Sequence, residues 1–462
     1  MRFSIILKAE FSKHEFVRFD TFLIKELGYD VSVIDDDIRM EAFNRFRELT
    51  GNHMFASVST MKKWFGIAGF ATPRREQVYE ICFMLHVPEE KVSDYFTVGL
   101  SAPAFQINDY QEAIFMYGIH KELSFDECLR LIEMFENNLE ENRVFDHTQM
   151  TYQLRNQFNI KKELSETEFI AWMLDYSSLF KGYSKTSLDY LETLRNEIIK
   201  QMKKDASERL NEYLAETGYE LWKRKNSKIG EEAKNVIKRY IKKLKNDKNS
   251  KLSGDIVSNI NELYKIVYGE AGANTQLLAE VYSSKNNIGK YPDWIKRVDA
   301  KYLSDLFNIP EQKERQIKSR QAVVELRGMS DNAPCPAWIV YLIEKYSKEE
   351  RKKLTVKEAK EWLEKDMSEH KRRCHIVQRG DLLPLILHIA QNKHMQVIHY
   401  DYSQYDSAIA KEEFVRIANA TLSACNMEPL SDAYQLDVAL AACFQKDEMF
   451  SYPDIIDALA EM

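Results

Sequence analysis

The sequence predicts an all-α, multi-domain protein, and three observations carry that expectation. Gly (15) and Pro (10) are scarce among 462 residues, so little of the chain has the composition of loops or of an all-β topology. Nearly every segment that can be phased repeats its apolar residues at helical spacing. Hydrophobic residues make up 44% and charged residues 30%, a balance that builds packed cores and excludes a disordered or collagen-like chain. At about 150 residues per domain the length suggests three units. The expected boundaries are 1–150 for an acidic helical domain with a helix-turn-helix-like module, 151–330 for a basic long-helix middle domain, and 331–462 for an acidic helical domain.

The elements follow in order. Phe16, Phe19, Phe22, Leu23 and Leu27 form one stripe that Gly28 ends. A second helix starts near Asp37 and carries Phe43, Phe46 and Leu49 before Gly51, with Asp35, Asp36 and Asp37 serving its N-terminal dipole. Ser59 is the expected N-cap of a short helix, TMKKWF, that Gly66 ends. Beyond Pro73, RREQVYEICFMLHV places Val78, Ile81, Cys82 and Leu85 on one side. Pro88 precedes EEKVSDYF, and Ser124 with Glu127 forms a capping box for FDECLRLIEMFENNL. Longer helices are expected over 165–181, 186–217 and 231–246, punctuated by Gly182, Gly218 and Gly230. Residues 245–255 read as an exposed loop, and Asp331 to Pro336 as a rigid joint.

Charge is unevenly distributed. The formal net charge is −7, yet residues 1–150 carry −9, residues 401–462 carry −9, and the stretch between carries +11. The densest basic block is 223–251, with 12 Lys and Arg against Glu231, Glu232 and Asp247. Within 231–246, Val236, Ile237, Tyr240, Ile241 and Leu244 recur on one face and leave Lys234, Lys238, Lys242, Lys243 and Lys245 for another. Such a face either steers a polyanion by counterion release or simply balances two acidic ends. Tyr219 and Trp222, just upstream, are possible stacking faces for bases or core anchors.

An internal repeat is also readable. Residues 103–123 lie over 429–449 without a gap, pairing Pro103 with Pro429, Ala113 with Ala439, Ile114 with Leu440 and Glu122 with Glu448. One inserted residue then brings Ser124-Phe125 onto Ser451-Tyr452. Both copies follow helix, Pro-containing loop, helix, Ser-aromatic cap, helix.

Residues 37–96, with STMKKWFG followed by PRREQVYEICFMLHVPEEKV, resemble the DNA-binding domain of Cro-like, XRE-type helix-turn-helix regulators. The stretch and its continuation over 103–135 are also similar to a set of uncharacterised bacterial proteins. The resemblance implies that the short helix enters the major groove with Ser59, Thr60, Met61, Lys62 and Lys63 toward DNA, while Trp64 and Phe65 pack inward. It implies phosphate contacts from Arg74 and Arg75 at the next helix start. Lysine can donate to guanine O6/N7 or to phosphate. Two features depart from the family pattern: GNHMFASV is longer than the usual tight turn, and the surrounding region is acidic rather than basic.

No nucleotide-binding glycine loop, nucleophile elbow or HExxH sequence occurs. His370, Cys374 and His375, with His388, His394 and His399, lack the short paired spacing of a zinc site, and His388 on LLPLILHIA fits a core position. The six cysteines are scattered, as in a reducing compartment, and the start MRFSIILKAEF lacks a signal peptide's apolar core. The expectation is therefore a cytoplasmic, non-enzymatic regulator without metal or cofactor that contacts duplex DNA, with a protein partner or self-association and no membrane contact. The alternative is a helical docking or scaffold protein, of a bacterial defence or stress system for instance, whose helix-turn-helix has lost DNA.

Overall fold

The computed structural model describes the chain except residues 1, 15, 101, 103, 139–150, 181–182, 247–253, 270, 285–291, 293, 351–352, 371–376 and 426. The described residues form twenty-three α-helices and no β-strand, with two isolated bridges. The all-α expectation holds. After α1 (Phe3–Phe11), nine helices build a first core: α2 (Phe19–Glu26), α3 (Asp36–Leu49), α4 (Val58–Trp64), α5 (Arg75–Met84), α6 (Glu89–Asp94), α7 (Tyr110–His120), α8 (Phe125–Asn137), α9 (Thr151–Lys161) and α10 (Glu166–Asp175). A wider helical turn, Tyr95–Gly99, extends α6. The middle contains α11 (Lys185–Glu216), α12 (Tyr219–Asn226), α13 (Ala233–Asn246), α14 (Gly254–Tyr268), α15 (Ala271–Glu280), α16 (Ala300–Phe307) and α17 (Ile309–Leu326). The last third holds α18 (Ala337–Ser347), α19 (Val356–His370), α20 (Arg379–Val397), α21 (Ser407–Ala424), α22 (Gln435–Ala441) and α23 (Tyr452–Glu461).

The hydrophobic cores divide the chain differently from the expected boundaries. The first core runs from Phe19 to Phe180 and so crosses residue 150, because Phe158, Phe169 and Trp172 pack into it. A second core joins α1 to the C-terminal helices: Phe3 stacks on Phe450 at 4.2 Å, and Ser4 donates to Glu461 at 2.8 Å. Another core, containing Ala322, Ile339 and Leu363, spans residue 330. These joins depend on apolar faces meeting across long sequence separations, which no local pattern encodes.

Helix α11 is 32 residues long and about 48 Å from end to end. Leu188, Leu191, Leu194 and Ile198 anchor its first half in the second core, whereas Ala206, Leu210 and Leu214 pack with α12, α13 and α14 in a separate core. The long helix thus carries a small helical arm away from the second core.

Several local expectations are refined. The helix expected over 165–181 stops at Asp175 and is followed by a short turn, Ser177–Leu179. The segment 245–255 is not all loop: α13 continues to Asn246 and α14 begins at Gly254, while 247–253 lie outside the described residues. Leu49 is exposed rather than core. The Ser124–Glu127 capping box forms as expected.

The repeat has a structural counterpart, displaced by one residue from the gapless alignment. Arg75, first in α5, forms an ion pair with Glu112, third in α7, and donates to the Ala104 carbonyl at 2.8 Å. Arg379, first in α20, pairs with Asp437, third in α22, and donates to the Pro429 carbonyl at 3.4 Å. Each acid also accepts from the amide six residues earlier, Gln106 at 2.8 Å and Ser431 at 2.9 Å. Both units end in Ser-capped helices, α8 and α23. Glu112 therefore corresponds to Asp437, and Ala104 to Pro429. The buried arginine-carboxylate clamp ties loop, helix start and helix start together in both units, and buried charges demand such pairing.

Candidate nucleic-acid interface

Helix α4 is short, so its direction is set by what it buries. Met61, Trp64 and Phe65 are fully buried, with Phe65 5.6 Å from Phe43 and 5.4 Å from Phe46, ring centre to ring centre. Trp64 faces Phe55. The C-terminal end is held by Arg39, which donates to the Phe65 carbonyl at 2.7 Å and to the Asp20 carboxylate at 2.6 Å. Gly66 follows at φ +75°, and a Cβ there would lie 2.0 Å from the Arg39 guanidinium, so this close approach requires glycine.

The opposite face is open. Val58, Ser59 and Lys63 are exposed, and Thr60 and Lys62 are half-buried. The N-cap is Ser57, not Ser59: the Ser57 hydroxyl accepts from the Thr60 amide at 3.2 Å. Ser59 sits one position inside the helix, its hydroxyl 3.1 Å from that of Ser57. Met61 also departs from expectation, since its side chain points into the core rather than outward. The Lys62 ammonium lies 5.8 Å from the Phe43 ring centre, so its stem lies along the apolar surface below.

Arg74 and Arg75 separate. Arg74 is exposed at the start of α5, where its amide donates to Gln77 at 2.8 Å, and Gln77 in turn donates to the Phe55 carbonyl at 2.8 Å. Arg75 is not a surface phosphate contact. Its guanidinium reaches both Glu112 oxygens at 2.5 and 2.8 Å and lies 4.3 Å from the Phe96 ring centre. Tyr79 donates to the same carboxylate at 3.0 Å, and burial, then the Glu112 charge, pushes its phenol well above the usual range. The Arg75 side chain is structural.

The arm presents the second basic surface. Val236, Ile237, Tyr240, Ile241 and Leu244 are buried, and Lys234, Lys238, Lys242, Lys243 and Lys245 are exposed, the division expected from the spacing. Helix α13 contains no Asp or Glu. Two lysines on other helices face an acid one turn away, Lys185 with Asp189 at 3.1 Å and Lys318 with Glu314 at 2.8 Å. Arg239 is drawn aside to Glu231 at 2.5 Å, and Lys245 donates to Asn261 at 3.0 Å. Lys243 lies 5.7 Å from the Tyr240 ring centre. Tyr219 and Trp222 are core anchors rather than stacking platforms: their rings lie 5.2 and 5.1 Å from that of Tyr240.

Cys374 and His375 lie outside the described residues. Among the described residues no group of three or more His, Cys, Asp or Glu side chains is placed to hold a metal ion. His388 is largely buried, shares a 2.9 Å contact with Asn392, and burial lowers its pKa below the ordinary value. No helix of the described residues is long and apolar enough to cross a membrane. No family model, curated protein or solved structure matches the chain.

Proposed function

We propose that the chain is a non-enzymatic, DNA-binding regulator of helix-turn-helix type, contacting duplex DNA through α4 and clamping phosphates with the α13 arm. The observation that carries this reading is the division of α4. Its anchors Met61, Trp64 and Phe65 are buried while Ser59 and Lys63 are exposed and Thr60 and Lys62 remain half-accessible. A helix so held can offer hydroxyl and ammonium donors to a groove without reorganising. Arg74 would contribute a phosphate contact beside it, and Lys234, Lys238, Lys242, Lys243 and Lys245 a separate, sequence-independent one.

Lys62→Ala/Lys63→Ala is expected to weaken duplex binding by tenfold or more and to reduce the slope of log affinity against log salt by about 2, near 0.9 for each lost phosphate contact. Fluorescence anisotropy of a labelled duplex over a salt series measures both. A double variant that binds like the parent, alongside loss of binding in Lys238→Glu/Lys242→Glu, would move the interface to the arm.

A second reading, protein docking or self-association through the arm, is supported by Leu221 in α12 and Ile229 in the connection to α13, which stand largely and fully exposed. Under that reading no duplex is bound and the particle mass in solution exceeds that of one chain.

A further inference from the structure

A cleft of about 440 Å³ lies where the α4 region meets the C-terminal unit, within the size range of small-molecule sites. Its walls come from the start of α2, the end of α4, the loop at 70–72, the chain at Trp294 and the loop before α22. The two sides are joined by Tyr434, whose hydroxyl donates to the Thr97 carbonyl at 2.8 Å. The cleft is therefore built between units far apart in sequence.

Its chemistry is cationic and aromatic. Arg18 and Lys63 both line it, and Lys63 is exposed. The one lining carboxylate, Asp20, is already bonded by Arg39 at 2.6 Å and by Arg18 at 3.3 Å. Phe70 is 45% exposed at the lip, with the Arg18 guanidinium 3.3 Å from its ring centre. Trp294 supplies a second aromatic surface, fixed from behind by Phe11 at 5.6 Å. An exposed phenylalanine backed by a guanidinium, next to a lysine and an indole, suits a flat ring carrying negative charge.

We propose that this cleft binds a small planar heteroaromatic anion of the nucleoside-monophosphate type, with the ring against Phe70 and Trp294 and the anionic group between Arg18 and Lys63. Lys63 also belongs to the exposed face of α4. One ammonium cannot serve both ligands, so occupancy of the cleft opposes duplex binding; this coupling rests on the DNA reading given above, whereas binding in the cleft does not.

The test uses the full chain and adenosine 5′-monophosphate, with adenosine and inorganic phosphate as separate titrants. Calorimetry is expected to show binding of the monophosphate, with each fragment weaker by at least about tenfold. Phe70→Ala and Arg18→Gln should each weaken it by about tenfold, the scale of one ring or ion contact. Phe70 is exposed and outside the proposed DNA contacts, so Phe70→Ala should leave duplex affinity unchanged while shifting the monophosphate's effect on it to about tenfold higher concentration. Absence of monophosphate binding, or binding indifferent to both substitutions, overturns the cleft assignment. Monophosphate binding that leaves duplex affinity unaltered overturns the coupling alone, and monophosphate binding in a chain that binds no duplex upholds the cleft while refuting the DNA reading.

Discussion

Replacing Arg379 by methionine is expected to cost the C-terminal unit about 3–5 kcal/mol at pH 8, because it strands a carboxylate that the fold has removed from water. The side chains of Arg379 and Asp437 are 6% and 3% exposed, and Asp437 accepts from both the guanidinium and the Ser431 amide. Burial, outweighing the Arg379 charge and the amide, pushes the Asp437 carboxyl up from 3.8 to about 6. The folded chain thus holds that proton more tightly than the unfolded chain, so this group's contribution to stability falls as pH rises from about 4 to about 6. Without the guanidinium the folded value moves higher. The decline then continues above pH 6 at about 1.4 kcal/mol per pH unit until the new value is passed. Native-state amide exchange over 435–441 should show a small deficit for Arg379→Met at pH 5 and the full deficit at pH 8, with Arg379→Met/Asp437→Asn recovering most of it. A deficit independent of pH would contradict the clamp.

Trp64→Ala is expected to destabilise the first core by about 3–5 kcal/mol, the scale for removing a fully buried aromatic. Trp64 is 1% exposed and packs toward Phe55, and it is the last residue of α4. The loss should be local as well as global: without its anchor the seven-residue helix has no intrinsic reason to stay folded. Urea denaturation followed by the intrinsic fluorescence of the other tryptophans reads the stability loss. Duplex affinity should fall together with it, even though Trp64 itself touches no ligand. Retention of both properties would mean that α4 is held by something other than its buried face.

Much of this was legible in the sequence wherever the physics is local. The α13 stripe, the Ser124–Glu127 capping box and the Gly66 stop follow from periodicity or capping over a few residues, and the inward Trp64 and Phe65 are what the helix-turn-helix resemblance implies. What escaped is non-local or degenerate. Arg75 sits beside Arg74 in sequence, and only the fold brings Glu112, 37 residues away, to claim its guanidinium. Ser57 and Ser59 are both competent caps, and Val58 entering the helix decides between them. The repeat was visible, but its gapless alignment matched Ala113 with Ala439 and so placed Glu112 against Val438. Sliding it by one residue aligns the two clamp acids, a signal available in the sequence once an arginine at each preceding helix start is considered. The attachment of α1 to the C-terminal core had no such signal, because Phe3 and Phe450 meet only in three dimensions.

Amide hydrogen exchange of the full chain with and without a duplex tests directly whether the outward face of α4 meets DNA. Slowed exchange is expected over 57–66, with a weaker effect along 233–246 and both effects fading as salt is raised. Unchanged exchange over 57–66 when duplex is demonstrably bound would contradict a DNA contact there.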